Sequence, residues 1–300
     1  MDPRSRLDEE APRVRSVRDD DARCTMADAT TLDRAVRRDD LAVLLDLTAI
    51  TVLAWGYLLV AAGGGGVAGA AMGAARTWMM GPTQISWTPF EAASVLVMWG
   101  AMMVAMMLPT AAPAVLTYAW IGRQRSSQSR PFVGTAWFVA GYLLAWSGVA
   151  LAATAVQWCF GQAGWFDPTT GRGHGLFAGL IFLAAGLYQL TPVKDRCLRL
   201  CQAPMRLLQR HGGYREDRGG ALRLGVIHGV CCVGCCWCLM LLLFAVGVMN
   251  LAWIAVISAF ILLEKIVPSD RLVSRLAALG LAATGETLVF VALRAMGMPH

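Results

Sequence analysis

The stretch LGVIHGVCCVGCCWCLMLLLFAVGV, from Leu224 to Val248, decides the fold of this chain. It contains no Lys, Arg, Asp or Glu, and its length exceeds the roughly 20 apolar residues with which a helix crosses a bilayer. It also holds five of the nine cysteines of the chain, between Cys231 and Cys238. One or two cysteines in such a run would pack as small hydrophobic residues, but five so close together require a chemical reason.

The composition of the whole chain is that of a membrane protein. Its 300 residues are 57% hydrophobic and 15% charged, with a mean hydropathy of +0.54, which is too apolar for a soluble domain with a single core. Apolar runs long enough to be considered as spans lie at 41–62, 92–120, 132–157, 175–191, 224–248, 250–264 and 274–296. We therefore predict an all-α polytopic bundle of about seven transmembrane helices. The fifth and sixth are so close in sequence that they should form a tight helical hairpin.

The basic residues predict the orientation of these helices, because Lys and Arg concentrate in cytoplasmic loops. Residues 1–40 carry 9 of the 26 Lys and Arg and 11 of the 20 Asp and Glu, which is typical of a disordered charged tail. Alternate loops bring the basic residues on one side to 23 and leave 3 on the other. We expect a cytoplasmic N-terminus and tail, an external C-terminus, and a transmembrane domain over 41–300 with a basic cytoplasmic loop at 194–223. Topology accounts for the net charge of +6, so no nucleic-acid partner is expected.

The cysteines of the fifth span group on one side of the predicted helix, in the inner half of the membrane. His228, Cys231, Cys232 and Cys235 have the spacing i, i+3, i+4, i+7 and share a face, while Cys236 points toward a neighbouring helix. One helix face cannot enclose an ion, so we expect further ligands from other segments. A reducing cytosol keeps thiols free, which argues against a disulfide framework.

Two other segments offer sulfur ligands. In TPVKDRCLRLCQAP, Thr191 to Pro204, Cys197 and Cys201 lie four residues apart on an amphipathic helix that follows a break at Pro192. In MWGAMMVAMMLPTAAP, 98–113, methionines recur at helical spacing. Thiolates and thioethers are the soft ligands that select Cu(I), whereas zinc sites rarely use methionine. The predicted metal ligands are Cys232, Cys235, Cys236, Cys197, Cys201, His228, Met102, Met103, Met106 and Met107.

Several of these residues have an ordinary structural explanation as well. Methionines at helical spacing often fill gaps in a core, and His228 lies where it could be solvated or packed. Glu286 stands near the middle of the last span, where a carboxyl group suggests a partner or a proton path. Glu264 and Lys265 end the sixth span and are equally explained as anchors at the membrane surface.

The sequence shows no nucleophile motif and no pair of carboxylates at catalytic spacing, so we predict a protein that is not an enzyme. Two alternatives remain open. One is a membrane thiol–disulfide oxidoreductase, in which Cys232 and Cys235 would cycle as a Cys-x-x-Cys pair. The other is a transporter of zinc or of another metal.

The segments MMVAMMLP, GLYQLTPVKDRCLRLCQAP, CVGCCWCLM and EKIVP together resemble a bacterial integral-membrane family of unknown function, over about residues 91 to 268. Its members are described as predicted metal-binding membrane proteins and some as copper chaperones. The resemblance implies copper handling in the bacterial cytoplasmic membrane, with a copper-dependent enzyme or a soluble copper carrier as partner. The motif positions it carries over are Met102, Met103, Met106, Met107, Pro109, Lys194, Cys197, Cys201, Cys232, Cys235, Cys236 and Trp237.

Overall fold

The structure is a computed structural model that describes residues 40–62, 88–125, 131–164, 175–215, 217–267 and 272–296. All regular secondary structure within these ranges is helical, so the prediction of an all-α fold is confirmed for them. The helices are α1 (Asp40–Ala62), α2 (Pro89–Arg125), α3 (Pro131–Gln162), α4 (Gly175–Gln189), α5 (Pro192–Gln202), α6 (Pro204–Arg210), α7 (Arg218–Val246), α8 (Leu251–Ile266) and α9 (Leu272–Ala295).

The start of α1, up to Asp46, belongs to a different compact unit from Leu47 onward. All packing described below lies within the second unit. The predicted charged tail, 1–40, falls outside the described residues except for Asp40.

Five of the described helices, α1, α2, α3, α7 and α9, are long and apolar enough to cross a membrane. A sixth candidate is the pair α4 and α5, which are bent by 66° at the break between them. Helix α8 has 16 residues and is shorter than a usual span. Each of the seven predicted apolar segments thus coincides with a helix, whereas the count of seven crossings stays a prediction.

Pro192 produces the break between α4 and α5. Proline lacks the N–H that a continuing helix would need, but it suits the first position of a new helix. The Thr191 hydroxyl caps α5 by accepting the backbone N–H of Lys194 at 3.3 Å, and it donates to the carbonyl oxygen of Tyr188 at 2.8 Å. Helix α5 consequently turns away from α4 and packs across α7 and α8. The break predicted at Pro192 is confirmed.

Helices α7 and α8 form the predicted hairpin. Helix α7 ends at Val246, two residues before the predicted boundary, because Gly247 adopts a φ of 102° that L-residues avoid. The side chain of Asn250 then caps α8 by accepting the backbone N–H of Trp253 at 3.4 Å.

The main contact of α7 is with α3, and two glycines allow the two backbones to touch. A Cβ atom at Gly225 would collide with the carbonyl oxygen of Phe138, and one at Gly141 would collide with that of Leu222. Small residues at such crossings are the usual basis of helix association in membranes, where apolar surface alone drives little packing. This close approach brings the side chains of α3 over the cysteines of α7.

Helix α2 continues through Pro109 and Pro113. Because Pro109 has no N–H, the carbonyl oxygen of Ala105 loses its helical donor. The indole N–H of Trp55 on α1 donates to that oxygen at 3.2 Å. The proline therefore frees a backbone acceptor that holds α1 against α2.

Candidate metal centre

Three thiols of α7 form the centre of the candidate site. The sulfurs of Cys232, Cys235 and Cys236 all lie within 4.8 Å of one another, and the three side chains are 0%, 3% and 1% exposed. No other group of three or more His, Cys, Asp or Glu among the described residues could hold an ion in this way. The thiols of Cys235 and Cys236 both donate to the carbonyl oxygen of Cys232 at 3.0 Å, so their sulfurs are held on the same side of the helix.

One methionine of α2, Met107, contacts this group. The sulfur of Met107 lies 4.0 Å from that of Cys236, so a thioether from a second helix joins the three thiols. The other predicted methionine ligands are buried along α2 as a continuous row at helical spacing. They are Met102, Met103 and Met106. From Met102 to Met107 the row covers about one and a half turns of α2.

Cys232 has polar partners from two further helices, α3 and α8. The Lys265 ammonium group of α8 donates to its sulfur at 2.8 Å and to the Thr110 hydroxyl at 2.7 Å. The Tyr142 hydroxyl of α3 lies 3.2 Å from the same sulfur and donates to the carbonyl oxygen of Met107 at 2.9 Å. These contacts fix Cys232 and place a positive charge directly beside it.

Helix α5 approaches the thiols from the side. The Cys201 side chain is buried and its thiol interacts with those of Cys232 and Cys235. The Cys197 sulfur packs on Gly234, where a Cβ atom would come within 2.7 Å of it. Cys197 itself is half-buried, so the predicted pair joins the α7 thiols with one member inside and the other near the surface.

A buried ion pair fastens α5 in this position. The Lys194 ammonium group contacts both carboxylate oxygens of Glu264 on α8, at 2.6 and 2.8 Å, and both side chains are almost fully buried. The Ser274 hydroxyl of α9 donates to the same carboxylate at 3.0 Å, and the Gln202 amide donates to the Glu264 carbonyl oxygen at 2.7 Å. Helices α5, α8 and α9 are therefore joined next to the thiols.

Two of the remaining candidates lie beside the three-thiol group rather than in it. His228 is buried one turn before Cys232, with its ring 5.6 Å from that of Tyr142, and its Nδ1 has no hydrogen-bond partner among the described residues. Cys231 is half-buried on α7 and neighbours Cys197.

Trp237 and Glu286 point away from the thiols. Trp237 is exposed and packs its ring edge-on against Tyr188, whose hydroxyl donates to the Gly234 carbonyl oxygen at 2.5 Å. Glu286 is exposed on α9, so the partner or proton path expected for its carboxyl group is not found in the site.

The interpretation of Glu264 and Lys265 as surface anchors is wrong. Glu264 is 4% exposed in an ion pair, and Lys265 reaches inward to a cysteine. One signal in the sequence could have indicated this. The chain has only two lysines, Lys194 and Lys265, among its 26 Lys and Arg residues, and arginine supplies the other 24. The roles of Tyr142 and Thr110 gave no such signal.

The arrangement can bind a soft cation. Three thiols can become thiolates when a metal replaces their protons, and a neutral thioether can complete the shell without adding charge. The donors come from α2 and α7, with α5 closing the side, so an ion would be enclosed by several helices rather than held on one face.

Comparison with known proteins agrees with this chemistry. The family model PpoB2, described as a copper chaperone, matches residues 96–288, which include every predicted ligand. No curated protein and no solved structure gives a significant match.

Proposed function

The chain belongs to the copper chaperone family PpoB2, and on this premise we propose that it binds Cu(I) inside the membrane and passes it to a partner protein. The observation that carries the proposal is the meeting of three buried thiols with a thioether 4.0 Å from one of them. This donor set suits Cu(I), which prefers sulfur ligands and is stable with few of them. Zinc sites are built from nitrogen, thiolate and carboxylate donors, so the methionine thioether distinguishes this donor set from a zinc site.

The order of exposure suggests how the ion would leave or arrive. Cys232, Cys235 and Cys236 are fully buried, Cys201 is buried beside them, and Cys197 is half-buried at the margin. Cu(I) passes between thiols by binding the incoming sulfur before it leaves the outgoing one. Neighbouring sulfurs therefore favour stepwise transfer of the ion from one thiol to the next. We propose that Cys197 and Cys201 connect the inner thiols to the exchange partner.

We propose two kinds of partner: a soluble copper carrier that exchanges copper with this protein, and a copper-dependent enzyme that finally receives the metal. We place the protein in the bacterial cytoplasmic membrane, with the thiols in its inner half, because the basic loops predict that α7 enters from the cytoplasm. The protein in this proposal carries metal and catalyses no reaction. In this proposal the lipid bilayer surrounds the helices and keeps bulk water away from the thiols.

Metal analysis of the full-length protein, purified anaerobically in detergent, tests the proposal. We expect bound copper in the wild-type protein and in Cys159→Ser, whose cysteine is exposed on α3 outside the site. Cys232→Ser should lose most of the copper, because it removes the sulfur at the centre of the hydrogen-bonded group. Zinc in place of copper would favour the transporter alternative, and wild-type protein without any metal would contradict metal binding.

One observation favours a second candidate, the thiol–disulfide oxidoreductase. Cys232 and Cys235 are close to each other and an ammonium group contacts Cys232, which favours a reactive thiolate. However, both thiols are buried, whereas reactive cysteines are usually accessible to their substrates. We therefore propose metal transfer as the function.

A further inference from the structure

Lys265 places a cation in direct contact with a candidate ligand. Its ammonium group touches the Cys232 sulfur at 2.8 Å and is held in place by the Thr110 hydroxyl at 2.7 Å. The adjacent acid, Glu264, does not neutralise it, because both oxygens of that carboxylate contact Lys194. The charge of Lys265 is therefore directed at the thiols.

We propose that Lys265 makes this site selective for a monovalent over a divalent cation. The inference rests on the proposed metal binding, and it adds a residue that determines whether monovalent or divalent ions bind more tightly. Lys265 acts through the field at the site and is not itself a ligand.

The argument follows from Coulomb repulsion. The ammonium group repels a bound divalent ion twice as strongly as a monovalent ion at the same position, and the apolar surroundings screen this repulsion poorly. With the same number of thiolates, a divalent ion leaves the site one unit more positive than a monovalent ion does. The ammonium charge of Lys265 therefore disfavours the divalent ion more strongly.

The choice of lysine fits this role. Lysine places its charge on one compact group that reaches between Cys232 and Thr110, whereas arginine spreads its charge over a wide planar fork. The chain uses arginine for its other basic positions, apart from the lysine paired with Glu264. Lysine therefore replaces arginine at position 265, where a compact charge contacts the Cys232 thiol.

The test compares Ag(I) and Cd(II), which are redox-inert probes with one and two charges. Full-length protein in detergent is loaded with Cd(II), which gives an ultraviolet sulfur-to-metal absorption band. Ag(I) is then added until half of the band is lost. The neutral variants are Lys265→Met, which has a similar length, and Lys265→Gln, which keeps a hydrogen-bond donor. The controls are Lys265→Arg, which keeps the charge, and Arg206→Met, which removes an exposed charge on α6.

Both neutral variants should need roughly tenfold more Ag(I) than the wild type to displace Cd(II). Loss of the ammonium charge removes more repulsion from the divalent ion than from the monovalent ion. Arg206→Met should match the wild type, since solvent screens an exposed charge. Lys265→Arg should stay closer to the wild type than either neutral variant does.

Displacement of Cd(II) from both neutral variants at the wild-type Ag(I) concentration would overturn the selectivity role and leave metal binding intact. A shift in Lys265→Met but not in Lys265→Gln would also overturn it, because the hydrogen bond and not the charge would then be responsible. Wild-type protein that binds neither ion would instead contradict the proposed function itself.

Discussion

The sulfur atoms of Met107 and Cys236 lie 4.0 Å apart, although 129 residues separate the two in the chain. The contact joins α2 to α7 through the two kinds of side chain that bind Cu(I) best. A packing role alone would be served as well by leucine at position 107, because Leu and Met have similar volumes. The methionines can therefore be tested without disturbing the fold.

Changing Met102, Met103, Met106 and Met107 together to Leu should leave the protein at a normal level in the membrane and abolish copper transfer. Leucine preserves volume but offers no lone pair to the ion. The measurement is copper delivered to an acceptor protein from membranes with matched protein levels. Met98→Leu is the control, because Met98 is buried on the same helix about 13 Å from Met107 at 1.5 Å per residue. Undiminished transfer by the quadruple variant would return these methionines to a packing role.

Gly141→Ala should destabilise the protein by about 1–3 kcal/mol, as expected for overpacking, because the added Cβ would meet the backbone of α7 at Leu222. Gly148→Ala on the same helix is the matched control. No heavy atom lies within 4 Å of its Cβ position, so it should stabilise α3 by up to about 1 kcal/mol through helix propensity. Thermal unfolding in detergent compares the two, and equal effects would mean that the glycine contact does not set the distance between α3 and α7.

Glu264→Gln should destabilise the protein by about 3–5 kcal/mol, because it leaves the buried ammonium group of Lys194 without a counter-charge. The double variant Lys194→Met with Glu264→Met should recover most of this loss, since two apolar side chains can replace a buried ion pair. Denaturation of the detergent-solubilised protein measures both. A double variant as unstable as the single one would show that the hydrogen bonds to Ser274 and Gln202 matter more than the charges.

The four thiols Cys232, Cys235, Cys197 and Cys201 should all be alkylated after acid quenching of cells and removal of metal. A Cu(I) carrier works with its cysteines reduced or metal-bound, whereas an oxidoreductase must pass through a disulfide. Mass spectrometry of the alkylated peptides measures the oxidised fraction. A Cys232–Cys235 disulfide that rises and falls with the redox state of the cell would support the oxidoreductase instead.

Reporter fusions after residues 126, 212 and 269 should be cytoplasmic, and fusions after 82, 168 and 300 external, because the Lys and Arg of alternate loops divide 23 to 3. Activity of paired reporters that work only inside or only outside the cell gives the orientation. An external signal at 212 would place Cys197 and Cys201 on the opposite side of the membrane from the predicted one.

The apolar helices could be predicted because each depends on local sequence, whereas α6 lies within the segment predicted as a basic loop. Apolar length predicted the long helices, Pro192 predicted the break at which α5 begins, and the short link after α7 predicted the hairpin. The ends were less predictable. Gly247 stops α7 through its backbone conformation, which apolar length does not reveal.

The site was predictable only in its sulfur atoms, since cysteine and methionine carry their chemistry visibly in the sequence. The partners of Cys232 were not predictable. Lys265 and Glu264 end an apolar helix, and that position looks the same whether the side chains turn outward to water or inward to a thiol. Tyr142 reaches the site only because Gly141 and Gly225 let two helices touch, a relationship between distant positions that one sequence does not display.

The scarcity of lysine has a practical consequence for labelling. The side-chain amines of this protein are Lys194, which is 1% exposed, and Lys265, which lies against the thiols. Acylating reagents such as activated esters modify amines and ignore arginine, so on the folded protein they find no ordinary surface lysine to react with. Each acyl group added to Lys194 would therefore record a moment when the interior of the bundle had opened. The rate of this modification with and without added metal ion would measure whether the ion holds the helices closed.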